Sequence, residues 1–90
     1  MSKIEIYTSG WCPFCTRAKR LLDERGLEYQ EYFVDQEPGR RAEMIERSGR
    51  LTVPQIFIDQ AHIGGSDDLA RMHQSGELDP LLEQAERHVA

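Results

Sequence analysis

The chain has 90 residues, enough for one domain with a modest core but not for two. Its net charge of −5 argues against a general nucleic-acid binder, whose affinity would rest on neutralising phosphates. No apolar run approaches the roughly 20 residues that span a bilayer, so neither nucleic acid nor membrane is an expected partner.

The N-terminal residues Met1-Ser2-Lys3-Ile4-Glu5 carry no apolar targeting segment and enter structure at once, so a cytoplasmic location is expected. Residues 3–8 alternate, with Ile4 and Ile6 on one face and Glu5 and Tyr7 on the other, which predicts a strand. Thr8-Ser9-Gly10-Trp11 reads as a short turn. From Pro13 the period becomes helical, with Phe14, Ala18, Leu21 and Leu22 in one apolar stripe. Pro13 suits a first helical turn, where its missing N–H costs nothing, and Gly26 is a natural stop. Residues 27–34, rich in aromatic and β-prone types, predict a second strand that Asp35 to Gly39 breaks.

Residues 40–48 predict a second helix with Ala42, Met44 and Ile45 turned inward, closed by Gly49. Strand–helix–strand order implies a parallel pair joined by a crossover. Residues 53–58 form a third strand opening on Pro54. Asp59-Gln60-Ala61 then turns the chain into a short fourth strand over 62–64, an antiparallel hairpin. Ser66-Asp67-Asp68 can cap a third helix over 69–73, which Gly76 interrupts. Asp79-Pro80 starts a last helix with Leu81, Leu82 and Ala85 facing the core. The expectation is one domain over residues 1–90, and a monomer.

The chemistry concentrates at Trp11-Cys12-Pro13-Phe14-Cys15, which holds both cysteines of the chain. A thiol between a strand and a helix start faces unpaired backbone N–H groups and the positive end of a helix dipole. That environment favours thiolate, the reactive form. Half of a zinc site has the same Cys-x-x-Cys spacing. Only His62, His73 and His88 could complete its four ligands, and they are scattered over three predicted elements, so no metal is expected. Two cysteines are also too few for a disulfide scaffold, which leaves redox work as the preferred reading.

Cys12-Pro13-Phe14-Cys15, Thr52-Val53-Pro54 and Gly64-Gly65-Ser66-Asp67-Asp68 recur in the order and spacing of one family. From Lys3 to Leu82 the chain resembles the small bacterial dithiol glutaredoxins. The resemblance implies an α/β, thioredoxin-like fold, with a four-stranded mixed sheet flanked by helices. It implies a glutathione-dependent thiol–disulfide oxidoreductase with no tightly bound cofactor and glutathione as co-substrate. Its substrates would be glutathionylated or disulfide-containing proteins and small disulfides.

Residue by residue, the resemblance makes Cys12 the nucleophile and Cys15 the resolving thiol. It makes the Val53-Pro54 bond cis, with Thr52 and Val53 beside the glutathione backbone and Phe14 as an apolar wall. Gly65, Ser66 and Asp67 would take the γ-glutamyl end, and Arg41 the glycine carboxylate. A helix start does suit a carboxylate. A thiol acidified at a helix start gains little as an attacker, because thiolate fraction and nucleophilicity trade off, but departs more easily. That favours removal of glutathione from proteins.

Two positions depart from the family pattern. Ser9 stands three residues before Cys12, where many relatives carry lysine, and Leu51 replaces a commonly polar residue. Arg17 or Arg50 are the cations in reserve. Two alternatives accompany this reading. One is a redoxin reduced by a flavoprotein reductase. The other is an iron–sulfur cluster carrier using Cys12 and glutathione, against which Pro13 counts.

Overall fold

The computed structural model describes residues 3–82. The first strand, β1 (Ile4–Thr8), is buried along its whole length, because helices cover both faces of the sheet. It is followed by α1 (Pro13–Glu24), β2 (Gln30–Phe33), α2 (Arg40–Ser48), β3 (Gln55–Ile58), β4 (Ala61–Gly64) and α3 (Ser66–Ser75). Residues 78–82 are again helical. The strands lie in the order β2-β1-β3-β4. β1 and β2 are parallel, as a helical crossover requires, and the other neighbours are antiparallel. This is the four-stranded mixed sheet flanked by helices that the motifs implied.

The alternation of β1 sorts its side chains between two clusters. Ile4 and Ile6 join Ile56, Ile58, Ala18, Leu22 and Leu69 on the side of α1 and α3, and Leu78 and Leu82 close that cluster. Tyr7 joins Val34, Met44 and Phe57 under α2. Arg25, at the end of α1, binds Asp79 and lies 3.1 Å from His73 Nδ1, tying the last turns of α1 and α3 together.

Several elements differ from expectation. β2 begins at Gln30 rather than residue 27; Leu27 and Tyr29 pack against the core from the connection instead. β3 is shorter by Val53 and Pro54, which precede the ladder. α3 is longer, from Ser66 to Ser75, because the Asp68 carboxylate accepts the Gly65 N–H at 2.8 Å and closes the first turn. Its last turn ends at Gly76 with φ 83°, a left-handed position that glycine holds without steric cost. The fourth helix already includes Leu78, and Ala85 lies outside the described residues.

Two helix faces also depart from the predicted stripes. Phe14 is 55 % exposed, while Cys15 takes the inward position. On α2 Met44 is buried and Ala42 exposed. Polar side chains of α2 reach the sheet as well. Arg47 donates to Glu5 Oε1 at 3.1 Å and to the Tyr7 hydroxyl oxygen at 2.8 Å. Tyr7 in turn donates to Glu43, and Tyr32 donates to Glu5 Oε2 at 3.0 Å. Among the described residues no helix is long and apolar enough to cross a membrane.

Candidate active site

The turn after β1 delivers Cys12 to the start of α1, where it is the N-cap residue in extended conformation with Pro13 behind it. The Cys12 Sγ accepts the Cys15 N–H at 3.2 Å, so the sulfur occupies the place of a capping oxygen. Negative charge on that sulfur would be met by a backbone donor and the helix dipole together. Cys12 is half-buried, whereas Cys15 is 1 % exposed, and both are free thiols. Burial pushes the Cys15 thiol up to about 12, and the neighbouring Cys12 adds to this. A backbone hydrogen bond from Ser9 and the charge of Lys19 act the other way. The pair is therefore asymmetric: one sulfur is open to a substrate, the other is not.

The Val53-Pro54 peptide bond is cis, and the Val53 carbonyl oxygen lies 3.9 Å from Cys12 Sγ. Val53 stands two residues before Gln55, the first laddered residue of β3. Gln55 is buried and braces the approach by donating from Nε2 to the Thr52 carbonyl at 2.9 Å.

Beside this segment opens a cleft of about 320 Å³. Phe14, Thr52, Val53 and Pro54 form one side, and Gly65, Ser66 and Asp67 at the start of α3 form another. The Ser66 hydroxyl is buried there, on a residue only 5 % exposed, and has no hydrogen-bond partner among the described residues. Asp67 is exposed and lies 3.6 Å from Arg17 Nη1. Gly64 holds φ +121°, and a Cβ at that position would run into the Asp68 carboxylate. Glycine there lets the chain enter α3 tightly against its own cap.

The structure thus brings Cys12, Phe14, Thr52, Val53, Pro54, Gly65, Ser66 and Asp67 to one place. It does not bring Arg41, which is exposed on α2 and absent from the cleft lining; the guanidinium in the cleft is that of Arg50. Arg50 is fixed by donating to Asp68 Oδ2 at 3.0 Å. Arg50 was one of the two cations held in reserve and Asp68 a candidate helix cap, so Gln55 is the cleft residue that sequence reasoning did not single out. Asp68 was legible as the third helical residue of a capping box, a spacing that makes its carboxylate turn back toward Gly65. Trp11, the residue before Cys12, is 87 % exposed and stands out in solvent instead of covering the thiol. Leu51, at 70 %, is exposed as well. Among the described residues no group of three or more His, Cys, Asp or Glu is placed to hold a metal ion.

Comparison with known proteins adds ancestry to this geometry. Residues 4–63 match the Glutaredoxin family. The chain is 56 % identical over 82 residues to Glutaredoxin 3 of Escherichia coli (strain K12), covering 91 % of this chain and 99 % of that protein. It is 48 % identical over 82 residues to Glutaredoxin of Pseudomonas aeruginosa, covering 91 % and 98 %. Among solved structures, the buckwheat glutaredoxin–glutathione complex superimposes with a TM-score of 0.85 at 33 % identity, over 94 % of this chain and 80 % of that one. The solution structure of Glutaredoxin from Brucella melitensis gives 0.77 at 51 % identity, over 89 % and 87 %. The matched span takes in β1, the Cys12–Cys15 turn and the Val53-Pro54 segment. The spacing of Cys12 and Cys15 fits a Cys-x-x-Cys motif, and the chain belongs to the glutaredoxin family, which supports a role as a thiol–disulfide oxidoreductase.

Proposed function

We propose that the protein reduces glutathione mixed disulfides of proteins and small disulfides, with glutathione as the reductant. The observation that carries this reading is the cleft itself: a peptide-sized, partly polar hollow that begins at the Val53 carbonyl, 3.9 Å from Cys12 Sγ. A tripeptide tethered to Cys12 through its own sulfur would lie along it. The unladdered Val53 backbone suits strand-like pairing with the peptide. The first turn of α3 and the unpartnered Ser66 hydroxyl suit a carboxylate, and Asp67 suits an adjacent ammonium. Arg50 supplies a cation for one of the two glutathione carboxylates. Phe14, Thr52, Pro54 and Gly65 shape the walls.

The sequence of bonds follows. The Cys12 thiolate attacks the glutathione sulfur of a mixed disulfide, and the protein thiolate leaves and takes a proton. A second glutathione thiolate then attacks the glutathione sulfur on Cys12. Oxidised glutathione forms and the Cys12 thiolate is released. With a protein disulfide as substrate, Cys12 is joined to protein, and Cys15 attacks Cys12 Sγ to free the reduced product and close a Cys12–Cys15 disulfide. A reducing compartment such as the cytoplasm fits a centre that must be returned to two thiols.

The test uses a glutathionylated protein, glutathione and glutathione reductase. Cys12→Ser is expected to abolish turnover. Cys15→Ser is expected to retain most of it while losing reduction of protein disulfides. If Cys15→Ser is as inactive as Cys12→Ser on the glutathionylated substrate, the one-thiol path is wrong for this chain. Turnover supported by a flavoprotein reductase but not by glutathione would move the reading to the other reductant.

A further inference from the structure

Lys19, Glu31 and Thr8 form a polar cluster beside the helix that carries the buried Cys15, and disulfide exchange through Cys12 gives that cluster no role. Lys19 stands four residues after Cys15 on α1, so the two side chains share one face of the helix. Its Nζ lies 2.9 Å from Glu31 Oε2, and both side chains are largely buried. The same Glu31 oxygen accepts the hydroxyl of Thr8 at 2.7 Å, a residue with no exposed surface. Ser9, the next residue, directs its backbone N–H to Cys15. The Phe33 ring is centred 6.0 Å from Lys19 Nζ. A surface lysine would sweep through many rotamers. This one is held.

We infer that Lys19, anchored by Glu31, is a positioning residue that keeps its ammonium beside Cys15 and promotes the attack of this thiol on a Cys12 mixed disulfide. The inference rests on the two-thiol path proposed above. In that step the Cys15 sulfur bonds to Cys12 Sγ and the Cys12–substrate S–S bond breaks. The departing sulfur takes the electron pair, and the proton lost from Cys15 ends on it through solvent. A buried thiol with no cation nearby would be slow to ionise. In the loaded state Cys12 is neutral, so its repulsion is gone and burial is opposed by the Ser9 backbone hydrogen bond and by Lys19. The charged groups facing this pocket are Cys12 and Lys19 from α1, and Tyr29 and Glu31 from the β2 side. At the start of α3 the exposed Asp67 carboxylate lies 3.6 Å from Arg17 Nη1.

The experiment mixes the reduced full chain with oxidised glutathione and separates glutathionylated from disulfide-closed protein by quenched-flow mass spectrometry across pH. Removing the cation raises the midpoint of Cys15 ionisation, so closure slows at neutral pH and recovers in alkali. At a Brønsted slope of about 0.45, each tenfold loss of thiolate slows closure about 3.5-fold, the rest returning as nucleophilicity. Lys19→Met is therefore expected to close about three- to tenfold more slowly at pH 7, its curve meeting the wild-type curve at high pH. Lys19→Arg is expected to stay within about twofold of wild type, because the charge persists. A Lys19→Met curve lowered by one factor at every pH would mark a purely structural role and overturn the inference. So would an equal loss in the glutathionylation rate of Cys12 in a Cys15→Ser background. A wild type that closes, with Lys19→Met closing identically, overturns this inference alone; a wild type that is glutathionylated and never closes overturns the two-thiol path beneath it.

Discussion

On the side of α1 and α3 the sheet presents Ile4, Ile6, Ile56 and Ile58, and the helices answer with Ala18, Leu22 and Leu69. Every member of that buried cluster is aliphatic. On the side of α2, Tyr7 and Phe57 share the space with Glu5, Glu43 and Arg47. Arg47 stacks 4.0 Å from the Phe57 ring centroid while its N–H groups serve Glu5 and Tyr7. Arg40 lies 4.0 Å from the Tyr32 ring centroid and donates to Glu43. The aliphatic face is stabilised by area and fit, and a lost methyl leaves a hole. The aromatic face is stabilised by satisfied partners, and a lost group strands another. The reactive thiols join the two: Cys15 is buried from α1, and the strand that carries Tyr7 leads into their turn.

The largest expected effect belongs to the aliphatic face. Leu22→Ala should cost about 2–5 kcal/mol in chemical denaturation, since a fully buried side chain leaves a cavity. Next comes Arg47→Met, expected to cost about 1.5–3 kcal/mol because the carboxylate of Glu5 loses its charged donor. Adding Glu5→Leu should return part of that loss, a recovery the aliphatic face cannot show. A Leu22→Ala loss that a second substitution on its own face restored as readily would erase the distinction.

Acid titration sharpens the same contrast. Burial alone would raise the Glu5 carboxyl, but hydrogen bonds from Arg47 and Tyr32 outweigh it and hold it below the ordinary value of 4.5. Glu43 is held low chiefly by the Tyr7 hydroxyl. Groups lowered on folding stabilise the chain above their ordinary range, and that contribution is lost as pH falls through their folded values. Stability should thus fall on acidification below about pH 4.5, and more gently in Arg47→Met than in wild type. Equal slopes in the two proteins would deny the network its role.

Smaller effects are expected at the cleft. Asp68→Asn should cost about 0.5–2 kcal/mol, as for other helix caps, and should release Arg50 from its carboxylate partner. Smallest of all is Trp11→Ser, expected to change stability by less than about 0.5 kcal/mol because the ring packs so little.

Much of the architecture was legible because period and punctuation agreed. The alternation of Ile4 and Ile6, the helical stripe of Ala18 and Leu22, and the glycines after each helix fixed the element order. The site was legible for a different reason: its motifs are local, and each carries its geometry in neighbouring residues. What stayed hidden was tertiary. Nothing in residues 40–48 alone distinguishes a helix that buries Ala42 from one that turns Arg47 and Glu43 toward Tyr7. That choice depends on a tyrosine 36 residues away from Glu43. Arg50 and Arg41 likewise look alike in sequence. Only Asp68, which fixes one of them at the cleft, tells them apart.

Trp11 gives the chain an optical consequence. It is the one tryptophan of the 90 residues, it adjoins Cys12, and its indole meets water over most of its surface. Any polypeptide or tripeptide joined to Cys12 would be bonded to the residue next to this ring. The emission of the unmodified protein should therefore report occupancy of a single sulfur, in real time and without a label.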